Sequence, residues 1–207
     1  IMFFVDGTIL KLEKKIAKYV GSKYACSVNS ATNAIFLIMT MDYFLKPRTI
    51  KIPSMIPPVV ANAILTSHNK IEFTDNIKWI GDSYILHKFR TYKVVDSAQK
   101  LEKNQFRKEC KSNDVMIFSN YPTKPLGGID GGIIVTDDYK KYKWMKEAVL
   151  NGMTFAENNW ERSISFPGYK MYMNSIQAEI LMRNFYNFDK KMKVLGNLVD
   201  IYNRELG

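Results

Sequence analysis

Three short segments of this chain bring polar or reactive residues to points where an apolar run ends. The first is Asn29-Ser30-Ala31-Thr32, small and polar, directly after the apolar stretch Tyr24 to Val28. A helix opening there leaves free backbone N–H groups and the positive end of its dipole, a natural seat for a phosphate; the ordinary reading is a plain N-cap. The second is Val94-Val95-Asp96, two apolar residues ending on a carboxylate. Asp96 either caps the next segment or is a buried acid that holds a cationic partner. The third is Phe118-Ser119-Asn120-Tyr121-Pro122-Thr123-Lys124, which presents one lysine ahead of Gly127 and Gly128. A loop lysine is ordinarily just solvated, but at the mouth of a sheet it loses its proton more easily and becomes an imine-forming nucleophile. A phosphate seat, an acid and a lysine are together what pyridoxal phosphate requires. The lysine forms the Schiff base, the acid keeps the pyridine nitrogen protonated so that the ring is an electron sink, and the helix terminus holds the phosphate.

Such groups need a scaffold that presents strand ends side by side. Helical and strand patterns alternate along the chain. Leu12, Ile16, Tyr19 and Val20 form an apolar stripe with Glu13, Lys14, Lys15 and Lys18 outside it, closed by Gly21 as C-cap. Strands are expected at Tyr24–Val28, Thr49–Ile52, Ile71–Thr74, Tyr92–Val95, Val115–Ser119 and Gly132–Thr136. Helices are expected at Ala31–Leu45, Val59–Ser67, Asp137–Leu150, Ser175–Phe185 and Asp189–Tyr202. This rhythm implies an α/β fold, a mostly parallel sheet with helices on both faces, and ligands beyond the carboxyl ends of the strands. The Pro- and Gly-rich loop from Tyr121 to Gly131 is the most irregular segment between strong strands, the kind that carries function.

Composition sets the outer bounds. The 207 residues are 46% hydrophobic and 13% aromatic, enough for a real core and against disorder. The longest apolar stretch, Ala34 to Met39, is far short of the roughly 18 residues a bilayer helix needs. Ile1 to Val5 is too short for a signal peptide and lacks a basic flank. Cys26 and Cys110 are sparse and distant, so the expectation is a reduced, cytoplasmic protein. His68 and His87 form no cluster with them, and no metal site is expected. Thirty Lys and Arg against 20 Asp and Glu leave a net charge of +10. No basic block interleaves with aromatics in a nucleic-acid pattern, so the charge reads as a Lys-rich solvated surface, Lys140, Lys141, Lys143 and Lys146 on an exposed helix included.

Beyond these features, the chain resembles the DegT/DnrJ family of sugar-nucleotide aminotransferases, pyridoxal-phosphate enzymes of the aspartate-aminotransferase-like fold (fold type I). The likeness is carried by Leu12 to Gly21, Ala25 to Ile35, Ile52-Pro53-Ser54-Met55 with Ala61-Asn62-Ala63-Ile64, and Val94-Val95-Asp96-Ser97-Ala98-Gln99. It continues through Phe118 to Gly132 and through Gly168-Tyr169, Met173 and Ile176-Gln177-Ala178. The resemblance implies Lys124 as Schiff-base lysine and proton shuttle, Asp96 on the pyridine nitrogen, and Gln99 near the ring. It implies Ala31, Thr32 and Ser119 on the phosphate, and a homodimer with shared active sites in which Lys170 reaches a neighbour's phosphate. The chain departs from the family at Ala31, where a glycine is usual, and at Pro57, where an aromatic stacks on the ring. It departs again at Lys170-Met171-Tyr172 and at Ile129-Asp130-Gly131-Gly132. Family members extend beyond both ends, which implies a large cofactor-binding domain at 1–188 and, at 189–207, a helix leading toward an absent C-terminal small domain. The implied substrates are a keto-sugar nucleotide and an amino-acid donor. The alternative is a degenerate, non-catalytic dimeric module of the same fold; Lys124 argues against the dehydratases of the family, which replace it.

Overall fold

The structure, a computed structural model, describes residues 7–41, 47–77, 79–154 and 163–206. Among them, helix α1 (Gly7–Val20) buries Ile9, Leu12, Ile16, Ala17 and Val20. It ends where Gly21, at φ +81°, turns its N–H onto the carbonyl of Ala17 at 2.9 Å. Strand β1 (Tyr24–Val28) leads to α2 (Ala31–Thr40), whose N-cap Ser30 accepts the Asn33 N–H at 3.2 Å. The expected extension of this helix through 42–45 lies outside the described residues, as does the segment 1–5. Then come β2 (Thr49–Pro53), α3 (Pro58–Thr66), β3 (Lys70–Thr74), β4 (Tyr84–Lys88), β5 (Lys93–Asp96) and the short α4 (Gln105–Glu109). Strands β6 (Val115–Ser119) and β7 (Gly132–Thr136) precede α5 (Tyr139–Ala148), α6 (Ser175–Tyr186) and α7 (Phe188–Leu206). No helix among the described residues is long and apolar enough to cross a membrane.

The main sheet runs β1-β7-β6-β5-β4, and β2 and β3 pair in parallel as a separate ribbon. Its two faces are read off alternate residues. Cys26, Val28, Val94, Val115, Ile117 and Ile134 face the cluster built with α2, α3 and α5. Ala25, Val95, Met116, Phe118, Ile133 and Val135 face the cluster built with α1, α4 and α6. Every residue of β6 and β7 is therefore buried, as expected of strands covered on both sides. Helices on both faces of an α/β sheet are found as expected.

The expected mostly parallel pairing is corrected. β5 and β6 are parallel, but β1–β7, β6–β7 and β4–β5 are antiparallel, so the main sheet is mixed. Connection length explains this. A parallel return needs a crossover of roughly a dozen residues or more, usually a helix. Only four residues separate Lys88 from Lys93, so β4 and β5 can form nothing but a hairpin. β4 itself was not anticipated, because it is a five-residue strand with Leu86 as its one buried residue.

A second correction concerns charge. Glu13 and Lys146, both read as solvent-facing, are buried, at 3% and 8% exposure. Glu13 accepts the Ser27 N–H and hydroxyl at 2.8 Å each, and Lys146 Nζ sits 3.0 Å from both of its carboxylate oxygens. Burial pulls the Lys146 ammonium down, but the facing carboxylate more than reverses it, so the lysine stays charged. The pair fastens α1, β1 and α5 together. Glu13→Gln keeps the shape and removes the carboxylate charge that faces the buried Lys146 ammonium, at an expected cost of about 3 kcal/mol read from the denaturant midpoint. Glu13→Leu with Lys146→Met should recover most of that loss.

Candidate active site

The sheet delivers three strand ends to one cavity of about 500 Å³, within the usual range for ligand pockets. Six of the seven residues singled out in the sequence line it: Ala31, Thr32, Asp96, Gln99, Ser119 and Lys124. Lys170 does not. It is exposed, and its backbone forms a bridge with Leu150. Pro57 lines the cavity at the start of α3.

Asp96 ends β5 at 4% exposure. Its Oδ1 accepts the Ala98 N–H at 2.9 Å, and its Oδ2 accepts the Tyr84 hydroxyl at 3.0 Å. Burial raises the carboxyl's pKa; the two hydrogen bonds and the charge of Lys124 pull the other way without cancelling it. Burial and the adjacent carboxylate push the Tyr84 hydroxyl far above its ordinary range, so it stays a neutral donor. Tyr84 is the direct cross-strand partner of Asp96 and was not anticipated, since β4 was not. The carboxylate thus keeps part of its capacity for a cationic N–H entering the cavity.

Lys124 rides on the 120–131 loop, which is pinned rather than loose. The Asn120 N–H bonds the carbonyl of Gly131 at 2.8 Å, and the Gly128 N–H bonds the carbonyl of Asn120 at 2.9 Å. The Asn120 side chain holds the carbonyl of Leu126 at 2.9 Å, and Leu126 is sunk in the core at 2% exposure. From outside, Asn184 donates to the carbonyl of Gly127 at 2.6 Å and Lys191 to that of Pro125 at 3.1 Å. Gly127 is obligatory, because a Cβ there would lie 2.3 Å from the carbonyl oxygen of Pro122.

The phosphate seat is the first turn of α2. Ser30 spends its hydroxyl on Asn33, while the amides of Ala31 and Thr32 have no partner within the helix. Lys124 is the lone Lys or Arg among the described residues lining the cavity, against Asp82, Asp96 and Asp130. An anion would therefore settle on the amides of α2 rather than on a basic cluster. Gly132 at the start of β7 lets this turn approach, since a Cβ there would be 2.8 Å from Ala31 N and Cα and from the Ser30 carbonyl. Gly132→Ala should displace the turn, costing ~1–3 kcal/mol of stability. It should also reduce the preference for pyridoxal phosphate over pyridoxal, read as the ratio of their dissociation constants.

The residues fit pyridoxal phosphate on three counts: a buried acid, a lysine across the cavity, and free amides at a helix terminus. Solved structures of similar shape place the fold among the aspartate-aminotransferase-like proteins. The profile of the DegT/DnrJ/EryC1/StrS aminotransferase family matches residues 4–78 and 85–207, and the chain belongs to that family. It is 21% identical, over 94% of its length and 61% of the relative's, to a UDP-4-amino-4,6-dideoxy-N-acetyl-beta-L-altrosamine transaminase of Campylobacter jejuni. It is 25% identical, over 89% of its length and 58% of the relative's, to the spore coat polysaccharide biosynthesis protein SpsC of Bacillus subtilis. Among solved structures, the "putative sugar aminotransferase Spr1654" of Streptococcus pneumoniae in its PLP form superposes with a TM-score of 0.73 at 17% identity, covering 98% of this chain and 64% of that one. The chain spans about three fifths of the length of the curated relatives it matches.

Proposed function

We propose that this chain is the cofactor-binding part of a pyridoxal-phosphate aminotransferase that moves an amino group from an amino-acid donor onto a keto-sugar nucleotide. The observation that carries the reading is the convergence of Lys124, Asp96 and the α2 amides on one cavity. In this reading Lys124 holds the cofactor covalently and later carries the proton between the substrate carbon and the site. Asp96 keeps a proton on the ring nitrogen, with Tyr84 and Ala98 fixing its orientation. Ala31, Thr32 and Ser119 hold the phosphate. The bound cofactor itself supplies an electron sink for breaking the bond to the transferred proton. The sugar-nucleotide substrate is supported by family membership and by the transaminase name of one relative.

A second copy completes the site in this reading, with its Lys170 beside the phosphate, and the protein works in the cytoplasm. Residues 1–188 are then the large domain, and α7 leads away from it toward a small one. The exposed Val194, Leu198, Val199 and Tyr202 of α7 suit a helix that packs on further chain. Incubation with pyridoxal phosphate followed by borohydride and peptide mapping is expected to place the adduct on Lys124. A folded dimer that takes up no cofactor would instead establish the non-catalytic module.

A further inference from the structure

Gln177 has no part in the roles above, although Ile176-Gln177-Ala178 is one of the stretches that carry the family likeness. It stands on the first turn of α6, buried at 8% exposure and not among the residues lining the cavity. Both ends of its side-chain amide are spent. Oε1 accepts the Asn174 N–H at 3.1 Å, half of a capping box whose other half is the Gln177 N–H on the Asn174 side chain at 2.9 Å. Nε2 reaches across 148 positions and donates to the backbone carbonyl of Asn29 at 3.0 Å. A capping box is served as well by Glu as by Gln, because it uses only the oxygen. The second bond needs the amide, and its target is the residue that leads into Ser30 and the phosphate seat. Asn29 is gripped elsewhere too. Its N–H donates to the Met171 carbonyl at 2.8 Å, and its Oδ1 accepts the Asn33 side-chain amide at 2.7 Å. The stretch 171–177 therefore holds both backbone polar groups of Asn29.

We propose that Gln177 is a positioning residue for the phosphate of bound pyridoxal phosphate, setting through the Asn29 carbonyl the direction in which the first amides of α2 point. The inference rests on the cofactor reading above. The held carbonyl belongs to the planar trans peptide shared with Ser30, so a bond on its oxygen fixes that plane. The Ala31 and Thr32 amides follow directly. Ala178 and Leu181 of α6 pack on one face of the sheet and Ala34, Ile35 and Leu37 of α2 on the other. The bond thus joins the two helical layers around the end of β1, beside the seat. A hydrogen bond weakens steeply as its angle closes, so a small rotation of the turn costs phosphate affinity. The ring contacts stay, because Asp96 and Lys124 are held by β5 and the 120–131 loop.

The test uses the full chain with pyridoxamine 5′-phosphate and pyridoxamine, neither of which forms a covalent link, and reads the ratio of their dissociation constants. Gln177→Met keeps the length and adds no charge but has no donor. It should lower the wild-type preference for the phosphorylated compound about tenfold. Asn174→Ala controls for the capping box, since it removes the other half and leaves Gln177 in place. That variant should melt lower and keep the wild-type preference. An unchanged preference in Gln177→Met, or an equal fall in Asn174→Ala, overturns the proposal. Should Gln177→Met not fold, the wild type decides by NMR. Its Gln177 side-chain amide signal should shift on binding pyridoxamine phosphate and not on binding pyridoxamine; the same response to both overturns the proposal. A borohydride-trapped adduct on Lys124 alongside such a negative result sinks this inference and leaves the aminotransferase reading standing. Failure to bind any of these compounds or pyridoxal phosphate sinks both.

Discussion

Lys124→Ala is expected to abolish covalent attachment of pyridoxal phosphate while leaving a folded protein that still binds pyridoxamine phosphate. The loop that carries Lys124 takes its shape from Asn120, Leu126, Gly127, Gly128 and Asn184, not from the lysine side chain. Its removal should therefore shift stability by no more than about 0.5 kcal/mol, as for other surface-loop changes. The chemical loss is far larger. In the proposed reading the side chain is both the attachment point and the group that carries the proton, and loss of a positioned acid–base group alone costs ~10²–10⁴-fold in rate. Lys124→Arg separates charge from nucleophilicity, because it keeps the cation and cannot form the link. Mass analysis after borohydride reduction reads the adduct, and the first half-reaction with glutamate reads the rate. An unchanged adduct in Lys124→Ala, or one mapped to another lysine, would remove Lys124 from the role.

Asp96→Asn is expected to split stability from function. With no ligand bound, burial holds the Asp96 carboxyl above its ordinary pKa. The sign follows from proton binding. Well below the ordinary value of about 3.9, folded and unfolded chains both carry the proton, and the residue contributes no pH dependence. As pH rises through that value the unfolded chain releases its proton while the folded one retains it, so stability falls until the raised folded pKa is reached. Asn keeps the contact to Ala98 and a polar atom for Tyr84, and it has no proton to lose. The ligand-free variant should therefore melt higher than wild type at neutral pH, with the gain vanishing toward pH 3. Turnover should fall by about 10²–10³-fold, the scale of losing one preorganised electrostatic group. Equal melting temperatures across the pH range would contradict the burial argument, and unimpaired turnover would contradict the assignment to the ring nitrogen.

Much of the site was legible in the chain because strand ends are local events. Val94-Val95-Asp96 and Phe118-Ser119 are apolar runs that stop at a polar residue, and the stop is where an α/β sheet exposes its ligands. Ser30 followed by a helical run marks the N-terminus of α2 by side-chain chemistry alone, and the structure has that cap. Gly21 marks the end of α1 in the same way. Tyr84 was not legible. β4 has one fully buried residue, Leu86, and no periodic stretch long enough to separate it from loop. Glu13 and Lys146 were misread for a related reason. Each sits on a lysine-rich helix, and only the approach of α1 to α5 across β1 makes the two charges a buried pair.

The sequence by itself determined most of the element order, the ends of α1 and α2 at Gly21 and Ser30, and the candidates Lys124, Asp96 and the Ala31-Thr32 turn. Those depend on residue type and on spacings of a few positions. The tertiary structure decided what pairs with what. It made the main sheet mixed by giving β4 and β5 a four-residue hairpin, put the Tyr84 hydroxyl on Asp96, and set the Gly81 N–H on Gln99 Oε1. Contacts of this kind join residues far apart in the chain. Their energies depend on burial and on angle, which no local pattern encodes.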